Sequence, residues 1–82
     1  MMDDAEHTVH FAANLLRLRR RRGLTQVEMA RLCGISLGTL RAMEHGRAPA
    51  HLVLPAAEHL AQWLGSETEK LFAPPECFEE LL

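Results

Sequence analysis

Histidine and cysteine side chains have the clearest chemical potential in this chain, because neutral imidazole and thiolate are the usual ligands of zinc. His7 and His10 have the i,i+3 spacing that places two ligands on one face of a helix. The other histidines and cysteines are His45, His51, His59, Cys33 and Cys77. Since no second close pair completes a tetrahedral set, we predict no metal and no other cofactor.

Nucleophilic catalysis is the next chemistry to consider, and Ser36 and Cys33 are its candidates. Neither lies in a nucleophile motif, and Cys33 occupies a position where a small buried helix residue is expected. We therefore expect that the chain is not an enzyme. The two cysteines lie far apart and the first residues are acidic rather than a secretory leader, so a cytoplasmic protein with free thiols is predicted. No apolar run approaches the roughly 18 to 20 residues of a membrane span.

Charge is distributed unevenly along the sequence, although the net charge of the 82 residues is only −2. Residues 14–50 contain every arginine and only two glutamates, whereas residues 1–13 and 51–82 are both acidic. A basic surface can therefore form on a protein that is acidic overall. The arginine run at 19–22, taken alone, is equally compatible with a solvated helix face.

Hydrophobic periodicity and capping residues predict the helices that position these side chains. The first helix is predicted from about Thr8 to Arg22 and ends at a glycine. The pair Thr25 and Glu28 forms a capping box that opens a second helix over about 26–33. After a tight turn that contains a glycine, a third helix is predicted over about 37–45.

The C-terminal half is predicted to contain two more helices. Residues 47–53 look irregular, and Pro55 fits the first position of a fourth helix that ends at Gly65. A second capping box at 66–69 predicts a short fifth helix through Phe72. No strand alternation is evident, so the expected fold is all-α with five helices.

Two short helices joined by a tight turn at 32–36 have the geometry that lays a second helix into the major groove of DNA, although inert helical hairpins share it. The residues at this turn resemble the lambda repressor and Cro-like family, also called the xenobiotic-response-element (XRE) family. The matching residues are Gly23-Leu24-Thr25-Gln26, Met29-Ala30, Cys33-Gly34-Ile35-Ser36, Thr39-Leu40, Met43-Glu44 and Gly46. The similarity extends over roughly residues 11–72.

This resemblance implies a five-helix helix-turn-helix domain, usually a homodimer that binds double-stranded DNA at a two-fold-symmetric operator. We assign the domain to residues 8–73, between a flexible acidic N-terminus at 1–7 and a C-terminal tail at 74–82. In such a dimer the two half-sites lie about one DNA turn apart, roughly 34 Å. The expected function is that of a transcriptional repressor or autoregulator.

The resemblance places the base-reading surface on the third helix. It consists of Ser36, Leu37, Gly38, Thr39, Arg41 and Ala42. Leu37 and Ala42 offer only apolar contact, for instance to a thymine methyl group, where relatives commonly have glutamine or serine. Hydrogen-bonded readout then falls mainly to Arg41, with Thr39 beside it. Gly38 costs about 1 kcal/mol relative to alanine in a helix, which is either a tolerated defect or the result of close approach by a phosphate or a neighbouring helix.

Phosphate contacts are expected on both sides of this surface. Gln26 matches the phosphate-contacting glutamine of the family, at a helix N-terminus that itself attracts anions. Arg47, just past the third helix, and Arg17, Arg20 and Arg21 on the first helix are the arginine candidates. Contacts of this kind supply affinity rather than specificity and weaken as salt increases.

Arg19 and Glu44 occupy positions that pair in relatives. A guanidinium can hold a carboxylate through two hydrogen bonds, so a structural ion pair between the first and third helices is expected. The alternative for Arg19 is an unpaired side chain that binds a phosphate.

A second function is compatible with the same scaffold. Because Leu37, Gly38 and Ala42 cannot form hydrogen bonds to bases through their side chains, the domain could instead be an interaction module of the antitoxin or antiactivator kind, with a cognate toxin as its partner. The arginine-rich segment argues against this reading. An exposed residue near the second helix, such as Val27 or Glu28, could also contact polymerase.

The C-terminal third contains more apolar residues than a minimal core requires, which predicts a dimer interface. The predicted interface residues are Trp63, Leu71, Phe72, Phe78, Leu81 and Leu82. A tail that folds back onto its own domain would use the same residues, and the sequence leaves these two arrangements open.

Overall fold

The computed structural model describes the backbone of residues 4–78 and the side chains of residues 8–76 and 78. Within this part of the chain, four α-helices precede a short C-terminal segment. They are α1 (Asp4–Arg22), α2 (Gln26–Cys33), α3 (Leu37–Glu44) and α4 (Ala50–Leu64). The described residues include no strand, so the prediction of an all-α fold is confirmed.

The predicted fifth helix is wrong, because residues Thr68–Phe72 form a 3-10 helix, which is followed among the described residues by a single helical turn, α5 (Pro75–Phe78). The capping box expected at 66–69 does not form. Glu67 precedes the 3-10 helix and makes no side-chain capping bond, and the buried Ser66 hydroxyl has no hydrogen-bond partner. The segment is only five residues long, and the tighter 3-10 geometry occurs in short pieces of this kind.

Two helices begin earlier than the sequence predicts. Thr8 lies inside α1, which starts at Asp4, so the threonine does not mark the helix start. Helix α4 starts at Ala50 behind its N-cap residue Pro49, whose backbone is not helical (φ −58°, ψ 137°), and Pro55 therefore lies inside this helix. Pro55 is exposed. Because proline has no backbone N–H, one intrahelical hydrogen bond is missing at this position, and the packing of α4 offsets the cost.

The caps of α2 and α3 form as predicted. Thr25 and Glu28 exchange hydrogen bonds of 2.9 and 3.1 Å in a complete capping box. The Ser36 hydroxyl accepts the backbone N–H of Thr39 at 3.1 Å and opens α3. Both helices therefore lie within one residue of their predicted bounds.

Helices α1 to α4 all contribute to one core, which the C-terminal segment closes. The fully buried side chains include Phe11, Leu15, Leu18, Met29, Leu40, Met43, Leu60, Leu71 and Phe78. Asn14 is also completely buried, and its amide donates to the carbonyls of Leu71 at 2.9 Å and Ala73 at 2.8 Å. These bonds fasten the 3-10 helix to α1.

This closure bears on the predicted dimer interface. Leu71 and Phe78 are 0% and 1% exposed and fill the core of their own domain, which is the folded-back arrangement that the sequence left open. Phe72 is half-buried and stacks on Phe11 with 5.4 Å between ring centroids. Leu81 and Leu82 lie outside the described residues. Trp63 is the described member of the predicted set that is exposed, at 44%.

No helix among the described residues is long and apolar enough to cross a membrane.

Candidate nucleic-acid interface

The turn between α2 and α3 is built by one glycine in a left-handed conformation. Gly34 has a φ of 69°, and the N–H of Ile35 bonds to the Ala30 carbonyl at 3.0 Å. These contacts satisfy carbonyls at the end of α2 and redirect the chain. Ser36 then starts α3 immediately, so the two helices are joined by a rigid connection.

Helix α3 separates an inner from an outer face. Leu40 and Met43 point inward and are 0% and 1% exposed. The predicted reading residues lie elsewhere on the helix: Gly38 and Arg41 are exposed, and Leu37, Thr39 and Ala42 are half-buried. Ser36 is exposed but donates its hydroxyl to the Thr39 hydroxyl at 2.8 Å, so these two side chains already bond to each other.

An ion pair ties α3 to α1. Arg19 Nε donates to Glu44 Oε2 at 2.5 Å, and Arg19 Nη2 donates to Glu44 Oε1 at 3.3 Å. The Glu44 side chain is 5% exposed and that of Arg19 is 16% exposed. Arg19 Nη1 also donates to the Leu24 carbonyl at 3.2 Å. The structure thus uses Arg19 as a connector between helices and not as a phosphate ligand.

Gln26 extends this ion pair toward the outer face of α3. Its amide nitrogen donates to Glu44 Oε1 at 3.1 Å, and its amide oxygen accepts from Arg41 Nε at 3.4 Å. A continuous series of contacts therefore runs from Arg19 through Glu44 and Gln26 to Arg41. Sequence reasoning missed the two contacts of Gln26, because they join residues 15 and 18 positions apart.

Comparison with known protein families identifies this arrangement. A family described as a helix-turn-helix domain matches residues 10–71, which include α2, the turn, α3 and most of the core. The chain belongs to the helix-turn-helix domain family. The predicted resemblance to XRE and Cro-like regulators, with which this family is associated, is confirmed. No curated protein and no solved structure matched the chain.

The arginines give the helix-turn-helix domain a strongly basic exterior. Seven of them are exposed, and they are Arg17, Arg20, Arg21, Arg22, Arg31, Arg41 and Arg47. The backbone N–H of Arg47 donates to the Ala42 carbonyl at 2.8 Å, which fixes this residue directly after α3. Arg22 lies over the ring of Trp63 with 5.4 Å to the centroid, a cation–π contact that the sequence did not indicate.

Gly38 has open space around it. A Cβ atom added at this position would have no neighbouring heavy atom within 4 Å. Close approach of another helix within the domain therefore does not explain this glycine. A tolerated defect and the approach of a ligand backbone are the two explanations that remain.

His10 and His59 lie against backbone carbonyls, and Cys33 is buried in the core. His59 Nδ1 lies 3.2 Å from the Cys33 carbonyl, and His10 Nδ1 lies 3.3 Å from the Phe72 carbonyl. Burial, followed by the nearby Glu44 carboxylate, raises the pKa of the Cys33 thiol to about 12. Among the described residues no group of three histidine, cysteine or acidic side chains could hold a metal ion. The His7 side chain lies outside the described part.

Proposed function

We propose that this helix-turn-helix protein is a sequence-specific DNA-binding transcription regulator that places α3 in the major groove. The observation that carries the proposal is the outer face of α3, where the predicted reading residues lie around the exposed Arg41 while Leu40 and Met43 anchor the helix to the core. A helix of this width fits a major groove about 12 Å wide.

Charge supports the proposal independently of shape. Seven exposed arginines belong to the segment that contains α1 to α3, and the acidic residues are concentrated at the two ends of the chain. Each arginine or lysine that neutralises a phosphate releases condensed counterions, which is the main source of affinity for duplex DNA. In this proposal Arg47, Arg17, Arg20 and Arg21 contact the phosphate backbone and orient the domain.

The reading surface of α3 then combines one strong hydrogen-bonding group with apolar contacts. Arg41 supplies up to five N–H donors, whereas the Thr39 hydroxyl, which accepts from Ser36, supplies one. Leu37 and Ala42 are suited to thymine methyl groups in the same groove. Gly38 leaves room for a base edge or a phosphate to approach the backbone, because nothing in the domain fills that space.

We propose further that the protein acts as a homodimer and represses transcription. The helix-turn-helix family supports this proposal, since two copies of α3 in a dimer enter successive major grooves about 34 Å apart on one side of the duplex. Two copies side by side would therefore match a two-fold-symmetric operator. A dimer bound in this way would exclude polymerase from an overlapping promoter, and the protein's own promoter is the first candidate.

One observation favours a different function. Leu37, Gly38 and Ala42 form a surface of α3 without side-chain hydrogen-bonding groups, which would suit a protein partner such as a toxin. DNA binding is the stronger proposal because the arginines around this surface would have no role in such a complex.

A salt-titrated binding assay tests the two functions. Binding to the DNA upstream of the coding sequence is compared with a scrambled duplex of equal length, for the wild type, Arg41→Ala and the exposed control Glu58→Ala. We expect the preference for upstream DNA to be lost in Arg41→Ala and kept in Glu58→Ala. Absence of affinity for either duplex in the wild type would contradict DNA binding and favour the interaction module.

A further inference from the structure

Gln26 is the residue whose position in the structure goes beyond the role that the sequence suggested. The sequence assigns it to a phosphate, but both polar atoms of its amide contact other side chains of the domain, Glu44 on one side and Arg41 on the other. It thereby links the Arg19–Glu44 ion pair to the exposed reading side chain of Arg41. This link is what distinguishes Gln26 from a surface anchor.

The orientation of the Gln26 amide is determined by its two neighbours. The Glu44 carboxylate, 5% exposed, can only accept, so it faces the amide nitrogen. The Arg41 guanidinium can only donate, so it faces the amide oxygen. A flipped amide would bring an oxygen against the carboxylate and an N–H against the guanidinium, and both contacts would be repulsive.

The contact uses one particular donor of Arg41. Nε is the atom bonded to Gln26, at 3.4 Å, and a guanidinium has four further N–H donors on its two terminal nitrogens. Those two nitrogens form the fork that bonds to O6 and N7 of guanine in the major groove. Support at Nε therefore leaves the guanine-reading end of the side chain available and restricts its direction.

We infer that Gln26 is a positioning residue that holds Arg41 for bidentate recognition of a guanine, with the buried Arg19–Glu44 pair as its support. The inference rests on the proposed DNA-binding function and adds the base that α3 reads and the residue that enforces the reading. Glu44 thereby has a second task besides stabilising the fold: it fixes the side chain that directs Arg41.

The first test does not require DNA. Hydrogen exchange of the Arg41 Nε–H is measured by NMR in the wild type, in Gln26→Met and in Gln62→Met, a matched change at an exposed position of α4. We expect exchange about fivefold faster in Gln26→Met, because one hydrogen bond is lost, and no change in Gln62→Met. Equal exchange in all three proteins would overturn the positioning contact.

The second test measures base discrimination. The wild type selects preferred duplexes from a random DNA pool, and affinities are then measured for every single-base-pair change in the selected sequence. Arg41→Ala identifies the base pair that Arg41 reads, which we expect to be G·C. Gln26→Met should reduce discrimination at that pair by about tenfold and leave the other pairs unchanged.

Three results would contradict the inference in different ways. If Gln26→Met weakens binding to all duplexes by one common factor, Gln26 is a phosphate contact and not a positioning residue. If the pair identified by Arg41→Ala is not G·C, the assignment of guanine is wrong. If the wild type selects no preferred duplex, the proposed function itself fails, while the exchange measurement still decides whether Gln26 holds Arg41. Equal unfolding midpoints of Gln26→Met and Gln62→Met show that neither the exchange rates nor the base discrimination reflect misfolding.

Discussion

Glu44 ties α3 to two other helices, since it accepts hydrogen bonds from Arg19 in α1 and from Gln26 in α2. We expect Glu44→Ala to lower the free energy of unfolding by about 3 kcal/mol, because it leaves the largely buried Arg19 without its counter-charge. Urea denaturation measures this loss. The exposed control Glu58→Ala should change stability by less than about 0.5 kcal/mol.

A double variant separates the ion pair from the charge that its disruption leaves behind. Arg19→Met combined with Glu44→Leu removes both charges and keeps similar volumes, so it should be more stable than Glu44→Ala alone. A Glu44→Ala protein as stable as the wild type would show that the ion pair does not hold α1 to α3.

Cys33 gives a pH dependence whose sign follows from its burial. Its pKa is raised to about 12, above the usual thiol value of about 8.5, so the unfolded chain loses this proton at lower pH than the folded chain. The contribution of Cys33 to stability is therefore constant below about pH 8.5 and falls as the pH rises toward 12. Between pH 8 and 10.5 we expect a loss of about 2.5 kcal/mol from this group.

The measurement compares urea denaturation at these two pH values for Cys77→Ser and for Cys77→Ser with Cys33→Ala. Subtracting the pH effect on the free energy of unfolding of the second protein from that of the first cancels the contribution of the other titrating groups. An equal pH effect in both proteins would mean that the thiol ionises in the folded state as readily as in the unfolded chain.

At the scale of elements, the short helices and the C-terminal ends of the long ones could be predicted from sequence, and the starts of the long ones could not. Thr25, Glu28, Ser36 and Gly34 act on backbone groups within a few residues, so their spacing was enough to place α2 and α3. Pro55 was misleading because a proline signal does not tell whether an earlier residue already starts the helix, as Pro49 does. Tertiary packing decides such cases.

The candidate site, too, could be predicted only in part from the sequence. Which residues lie on the outer face of α3 follows from helical periodicity and the family resemblance. The bonds from Gln26 to Glu44 and Arg41 do not, because they depend on how α2 crosses α3 and on side-chain directions. Nor does the sequence indicate that Gly34, because it lacks a Cβ atom, leaves room for the His59 side chain of α4.

Gly34 and Gly65 form a matched pair for testing how the turn of the helix-turn-helix is packed. Both have a left-handed backbone, with φ of 69° and 68°, so alanine adds a strain of about 1 kcal/mol at either position. At Gly34 the added Cβ would also lie 2.9 Å from His59 Nδ1, whereas nothing lies within 4 Å at Gly65. Displacing His59 breaks its bond to the Cys33 carbonyl.

We therefore expect Gly34→Ala to lose about 1 kcal/mol more stability than Gly65→Ala in thermal or urea denaturation. In the background His59→Ala the two substitutions should become equal, because the side chain that the Cβ would displace is gone. Equal losses in the wild-type background would show that His59 does not pack against the turn.

At the scale of the whole molecule, the C-terminal segment belongs to the core. We expect Phe78→Ala to lower the free energy of unfolding by about 3 to 4 kcal/mol, because a completely buried ring is removed. Trp63→Ala, at an exposed position, should cost less than about 1 kcal/mol, mainly through its contact with Arg22. Denaturation at several protein concentrations is the measurement, since a loss at an intermolecular interface would depend on concentration and a loss in the core would not.

The separation of charge along the chain predicts how binding responds to salt. The logarithm of the DNA-binding constant should fall linearly with the logarithm of salt concentration, with a slope of about −0.9 for each phosphate neutralised. Arg47→Ala should make the slope less steep by about 2 in a dimer, one phosphate for each copy. Lys70→Ala removes the same charge from the acidic C-terminal third and should leave the slope unchanged. If both variants shift the slope equally, DNA binding depends on the overall charge of the protein, and the arginine-rich segment is not the surface that contacts DNA.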